Sequence, residues 1–123
     1  MKITKIDIVT RPSKLEELKD ALNAIGVLGM TVSQVYGCGL QRGHKEVFRG
    51  KEYDVNLVPK IKLETVVCEV PVEKVLEVAQ KVLRTGKFGD GKIFVYELAD
   101  AVRIRTGQRG VEAIMYIPCE KPE

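Results

Sequence analysis

A chain of 123 residues with a formal net charge of +3 is long enough to bury one core and too short for two independent domains, and so small a charge excess does not argue for nucleic acid. Cys38, Cys68 and Cys119 are odd in number and lack a C-x-x-C spacing, which speaks against a disulfide framework or a zinc site and points to a reducing cytoplasm. The opening MKITKIDIV alternates charge with aliphatics, and no run approaches the ~20 apolar residues of a membrane span, so a soluble, unexported protein with no membrane insertion is expected.

Ile6 and Ile8, alternating with Lys5 and Asp7, predict a first strand. Pro12-Ser13-Lys14-Leu15-Glu16 then opens a helix, with Ser13 and Glu16 spaced as a capping box. Leu15, Leu18, Leu22 and Ile25 share one helical face, and Gly26 stands where that helix ends. Residues 30–36 read as a second strand. The next segment, residues 37–60 (GCGLQRGHKEVFRGKEYDVNLVPK), is far longer than a hairpin turn requires. Its charges, set between apolar anchors such as Phe48, Tyr53 and Leu57, suit either an arm that orders on a partner or a long hairpin without that role.

A third strand is expected from Ile61 up to Pro71, followed by a helical stripe of Val72, Val75, Leu76, Ala79, Val82 and Leu83 that ends near Gly86. KIFVYEL makes the fourth strand. Both halves run strand, proline, helix, glycine, strand, which predicts an α+β, ferredoxin-like βαββαβ fold: a four-stranded antiparallel sheet with both helices on one face. The strand LETVVCEV reads as apolar on both sides, so the uncovered face is expected to be buried against another subunit.

The residues with chemistry gather late in the chain. In TGKFGDGKIFV, Gly86, Gly89 and Gly91 let backbone amides turn inward without a Cβ penalty, and successive inward amides make a nest for phosphate oxygens. Lys87, Lys92, Arg103 and Arg105 supply positive charge, the two arginines of VRIRTG alternating on an expected strand and so sharing one side. Gly86, Gly91 and Lys92 fit G-x-x-x-x-G-K, but Ile93 stands where that motif needs a hydroxyl for magnesium. A strand also follows where a phosphate loop opens a helix.

Four ordered segments, GMTVSQVYGCG, QRGHKEVFRGKEYDVNLVPKIK, TGKFGDGKIFV and VRIRTG, resemble the PII nitrogen-regulatory signal proteins over nearly the whole chain. The resemblance implies a single domain over residues 1–123, with residues 37–60 as a target-docking T-loop and 108–123 as a C-terminal tail. It implies a non-enzymatic homotrimer whose inter-subunit clefts take ATP or ADP, Mg2+ and 2-oxoglutarate. Phosphate and ribose contacts fall on Gly89, Asp90, Gly91 and Lys92, with Arg103 and Arg105 reaching in from a neighbouring subunit. The adenine side falls on Thr31, Gly37 and Val66, and the base of the arm adds Gly39, Leu40 and Gln41.

By the same resemblance, Gln41 is the magnesium ligand, its amide oxygen being a suitable hard donor. Lys60 pairs with a 2-oxoglutarate carboxylate and Arg11 is a second basic group. Tyr53 matches a tyrosine that a nucleotidylyltransferase modifies in some members. Implied partners are an ammonium transporter, nitrogen-assimilation enzymes or transcription regulators. Outside that match, Lys60 and Arg11 read as solvated cations, Asp90 as bonding its own turn, Val66 as core and Tyr53 as packing on a target. Leu40 replaces a common arginine, Lys51 a phosphorylatable serine and Cys38 an aromatic residue. Two other functions fit the residues: phosphoryl transfer through His44, and a trimeric metal-binding or structural module of similar fold.

Overall fold

The computed structural model describes residues 2–38, 45–48, 51–54 and 57–115, with the backbone alone for 45–48 and 51–54. The first strand, β1 (Thr4–Thr10), is central and antiparallel to both neighbours, β5 (Leu57–Val67) and β6 (Lys92–Glu97). Adding β2 (Thr31–Cys38), antiparallel to β5, gives the sheet order β2-β5-β1-β6. That is the expected ferredoxin-like order. The insert adds two short paired strands, β3 (Lys45–Phe48) and β4 (Lys51–Asp54), which the periodicity did not predict.

Helix α1 (Leu15–Ala24) buries Leu18 and Leu22, and α2 (Val72–Leu83) buries Val75, Ala79 and Leu83, each set at helical spacing. These close on Ile6, Ile8, Ile61 and Leu63, which alternation places on one face of β1 and β5. The capping box at Ser13 and Glu16 does not form. Pro12 instead starts a 3-10 turn at Pro12–Lys14, so Lys14 becomes the cap of α1, without a side-chain cap bond, and Ser13 lies inside the turn. Gly26, at φ +96°, ends α1 as expected.

The opposite face of the sheet corrects a second expectation. Glu64 and Lys62 of β5 point the same way as Lys5 and Asp7 of β1, so the outward side of β5 is not an apolar strip. Lys62 Nζ lies 3.1 Å from Glu64, and Lys5 Nζ lies 3.5 Å from Asp7. Lys5 also stands 5.5 Å above the Tyr96 ring. Asp7 is only 2 % exposed, and its Oδ1 accepts no hydrogen bond among the described residues. Glu64 holds the Lys62 ammonium above its usual range, chiefly through their hydrogen bond.

Candidate functional site

Helix α2 stops at Leu83 because Arg84 turns extended, and the chain then makes the glycine turn before β6. Gly86, Gly89 and Gly91 all adopt positive φ (+83°, +100° and +105°). Gly91 has a further requirement, since a Cβ there would overlap the Val9 carbonyl oxygen and stand 2.9 Å from its carbon. Only glycine lets β6 leave the turn in register with β1.

One carboxylate holds this turn. Asp90 Oδ2 accepts from Thr85 N at 2.8 Å and Gly86 N at 3.0 Å, while Oδ1 accepts from the Thr85 hydroxyl and from Arg11 Nη1. The Asp90 backbone carbonyl accepts from Thr10 Oγ1 at 2.8 Å. These bonds, the Thr85 hydroxyl first and Arg11 second, hold the Asp90 carboxyl well below the usual carboxylate range. Of the two sequence readings of Asp90, the turn-forming one describes its side chain.

Two cations close the turn from β1 and β5. Arg11 Nη2 donates to Phe88 O at 2.8 Å, and Lys60 Nζ donates to Gly89 O at 2.7 Å. Neither is a freely solvated surface charge. Partial burial pushes the Lys60 ammonium below its ordinary range, the nearby Arg11 charge adds to this, and Asp90 opposes it. Between the turn and β2 lies a cavity of about 750 Å³, lined by Gly37, Cys38, Lys60, Gly89, Lys92 and Phe94. Lys60, Lys87 and Lys92 line it, so an anion entering it would relieve their mutual repulsion.

Arg103 and Arg105 do not lie on a strand. Residues 104–106 form a turn that Gly107 N closes on Arg103 O at 2.7 Å, with Gly107 at φ +74°. The Arg103 guanidinium donates to Met115 O at 2.8 Å, Ala113 O at 3.3 Å and Gln108 Oε1 at 3.2 Å, which ties the turn to the short helix α3 (Val111–Ile114). Met115 in turn lines a cavity of about 180 Å³ with Leu28, Gly29, Thr65 and Val66.

The site residues therefore fall into two groups. Arg11, Gly37, Lys60 and Gly89 to Lys92 meet at one end of the sheet; Val66 and Arg103 sit at the other, near Thr31, which opens β2 opposite Glu64. Thr31 and Gly37 share β2, yet six residues of extended chain put them roughly 20 Å apart. Gly37 therefore lies at the glycine-turn end, apart from Thr31 and Val66. Gly39, Leu40, Gln41 and His44 lie outside the described residues, as does the Tyr53 side chain, whose backbone pairs with Glu46 in the β3-β4 ladder. Thr10, Thr85 and the Leu28-Gly29 wall escaped the sequence reading. Only Thr85 left a signal, as a hydroxyl beside Gly86 in the same glycine string.

Fold and site define a small α+β domain with a glycine-rich turn ahead of β6 and a long insert between β2 and β5. The family model "Nitrogen regulatory protein P-II" matches residues 3–108, and the chain belongs to that family. The nitrogen regulatory PII-like protein of Bacillus subtilis (strain 168) is 51% identical over 110 residues, covering 89% of this chain and 95% of the relative. GlnK of Escherichia coli (strain K12) is 43% identical over 109 residues, covering 89% and 97%. A solved structure of B. subtilis GlnK superimposes with a TM-score of 0.78 at 50% identity, covering 92% of this chain and 99% of that one. That of the B. subtilis GlnK-ATP complex gives 0.77 at 47%, covering 91% and 95%. The chain is thus a nitrogen regulatory protein of the P-II type, and its relatives are named as regulators.

Proposed function

We propose that this chain is a non-enzymatic, cytoplasmic homotrimeric sensor that binds ATP or ADP, with 2-oxoglutarate, in clefts between subunits. The observation that carries the reading is the separation of the two groups of site residues. The turn end, with Gly89 to Lys92 and Lys60, and the Val66 end line separate cavities that share no residue. Two adjacent copies bring them together, and the ATP complex of a relative at 47% identity supports nucleotide as the ligand.

The nucleotide fits the residues present: a side chain at Gly89 would crowd the two cations at the turn, its Cβ standing 3.1 Å from Arg11 Nη2 and 3.6 Å from Lys60 Nζ. Turn amides and Lys92 take the phosphates, Arg103 and Arg105 of the neighbour add charge, and Thr31 with Val66 borders the base. Gln41 is the protein ligand assigned to magnesium, an ion that offsets repulsion between a triphosphate and a dicarboxylate. Lys60 and Arg11 exchange the Gly89 and Phe88 carbonyls for a 2-oxoglutarate carboxylate. Because Gln41 stands at the root of residues 37–60, ligand occupancy biases that T-loop. The T-loop docks on an ammonium transporter, nitrogen-assimilation enzymes or a transcription regulator, with Tyr53 open to a nucleotidylyltransferase.

Calorimetric titration of ATP with and without Mg2+ and 2-oxoglutarate tests this. The ligands should tighten one another reciprocally, by roughly 5-fold to 150-fold, and Gln41→Ala should reduce that coupling with a smaller effect on ADP. ATP affinity indifferent to 2-oxoglutarate sinks the sensor reading. Shortening the insert between Arg42 and Leu57 should abolish capture of the ammonium transporter while nucleotide still binds; retained capture would remove the docking role.

A further inference from the structure

Lys60 is held differently from the other lysines of β1 and β5. Lys5 and Lys62 each sit beside a carboxylate, at 3.5 Å from Asp7 and 3.1 Å from Glu64. Lys60 Nζ instead donates to a neutral acceptor, the Gly89 carbonyl, at 2.7 Å. Its charged neighbour is another cation, because Arg11 Nη2 and Lys60 Nζ stand 3.1 Å and 3.6 Å from the single point that a Cβ on Gly89 would occupy. Lys87 and Lys92 line the same cavity, and Asp90 is the only carboxylate among its described lining residues. That carboxylate is already committed, since Thr85, Gly86 and Arg11 take up both of its oxygens.

An amine so placed is suited to an electrophile that arrives neutral and leaves the nitrogen anionic. Partial burial and the neighbouring Arg11 charge hold the Lys60 ammonium below its ordinary range, against the opposing pull of Asp90, so its lone pair is freer than that of a solvated lysine. Val9, Val58 and Phe94 add apolar wall to the cavity, which admits a small uncharged molecule without a desolvation cost. Carbon dioxide is such a molecule. The amine lone pair forms an N–C bond to its carbon, one C=O π pair moves onto oxygen, and an N–H proton passes to solvent. The product keeps one N–H, enough to go on donating to Gly89 O.

We propose that Lys60 is a carbon dioxide site, its Nζ forming a carbamate whose oxygens face the Arg11 guanidinium and the Lys87 and Lys92 ammonium groups. The reaction turns the most crowded cation of the cavity into an anion, so repulsion among like charges becomes attraction to three cations. Lys19 of α1 has the opposite surroundings: Glu16, 3.4 Å away, favours its ammonium and would repel a carbamate. The modification itself does not depend on the sensor reading. On that reading the same nitrogen takes a ligand carboxylate, so the carbamate and 2-oxoglutarate exclude one another.

Chemical trapping tests this on the unmodified, ligand-free chain. The protein is equilibrated with isotopically labelled bicarbonate and carbon dioxide near neutral pH, treated with a trialkyloxonium salt, which esterifies a carbamate irreversibly, and mapped by peptide mass spectrometry. Labelled adduct should appear on Lys60 with an occupancy roughly tenfold or more above that on Lys19, the ratio that one unit of difference in amine pKa gives. Arg11→Ala, with its fold checked by circular dichroism, should lower the Lys60 occupancy several-fold. Absence of labelled adduct on Lys60, equal labelling of Lys60 and Lys19, or an occupancy unmoved by Arg11→Ala each overturn the proposal. Addition of ATP, Mg2+ and 2-oxoglutarate should suppress the adduct; a Lys60 adduct that these leave unchanged would remove Lys60 from the sensor's ligand groups and leave the carbamate standing.

Discussion

Gly91→Ala is expected to destabilise the fold by about 3 kcal/mol or more, the sum of a strained positive φ and an overpacked contact at ~1–3 kcal/mol each. Gly91 sits at φ +105°, and the added Cβ would overlap Val9 O and stand 3.0 Å from Thr10 Cα. Those atoms belong to the central strand, whose Ile6 and Ile8 are fully buried, so neither side can yield without disturbing the core. Nucleotide binding should fall with stability, because the same shift opens the turn. Gly29→Ala is the control: nothing lies within 4 Å of its Cβ and its φ is ordinary, so its effect should stay within about 0.5 kcal/mol. Urea denaturation of both variants decides, and a Gly91→Ala loss below 1 kcal/mol would show that the β1-β6 edge is softer than its packing implies.

What could be read without coordinates was what short-range pattern encodes. Leu18 and Leu22, then Val75, Ala79 and Leu83, recur at helical spacing because burial on one side imposes that period, and all five are buried. The three turn glycines were legible because few residues other than glycine tolerate positive φ. Pairings set by the third dimension were not. Asp90 meets Arg11 only because β1 and β6 lie side by side, which puts residues 79 apart in sequence into contact. Alternation suggested a strand for Arg103 and Arg105, but Gly107 and the Gln108 bonds bend that stretch into a hairpin. The resemblance supplied the candidate site residues, and the coordinates divide those among the described residues between two ends of the sheet.

Asp90→Ala should weaken ATP binding by roughly 10-fold to 100-fold, the usual scale for losing a pre-set geometry, and leave the fold largely intact. The carboxylate gathers Thr85 N, Gly86 N, the Thr85 hydroxyl and Arg11 into one turn. Without it these donors turn to water, which their exposed positions allow, and the glycine nest must be ordered by the ligand instead of in advance. Asp90→Asn retains one acceptor oxygen and should fall between the two. Acid provides a second readout. Because the folded carboxyl lies below its ordinary range, its contribution is fully present above the usual carboxylate pKa of about 4 and is lost as pH falls toward the folded value. Stability of the wild type should therefore show no Asp90-dependent slope between about pH 5 and 8. Below about pH 4 it should drop more steeply than that of Asp90→Ala, which has no such charge to lose. Equal ATP affinity in wild type and Asp90→Ala would mean that the glycines order the turn unaided, and Arg11 would then remain as a ligand group only.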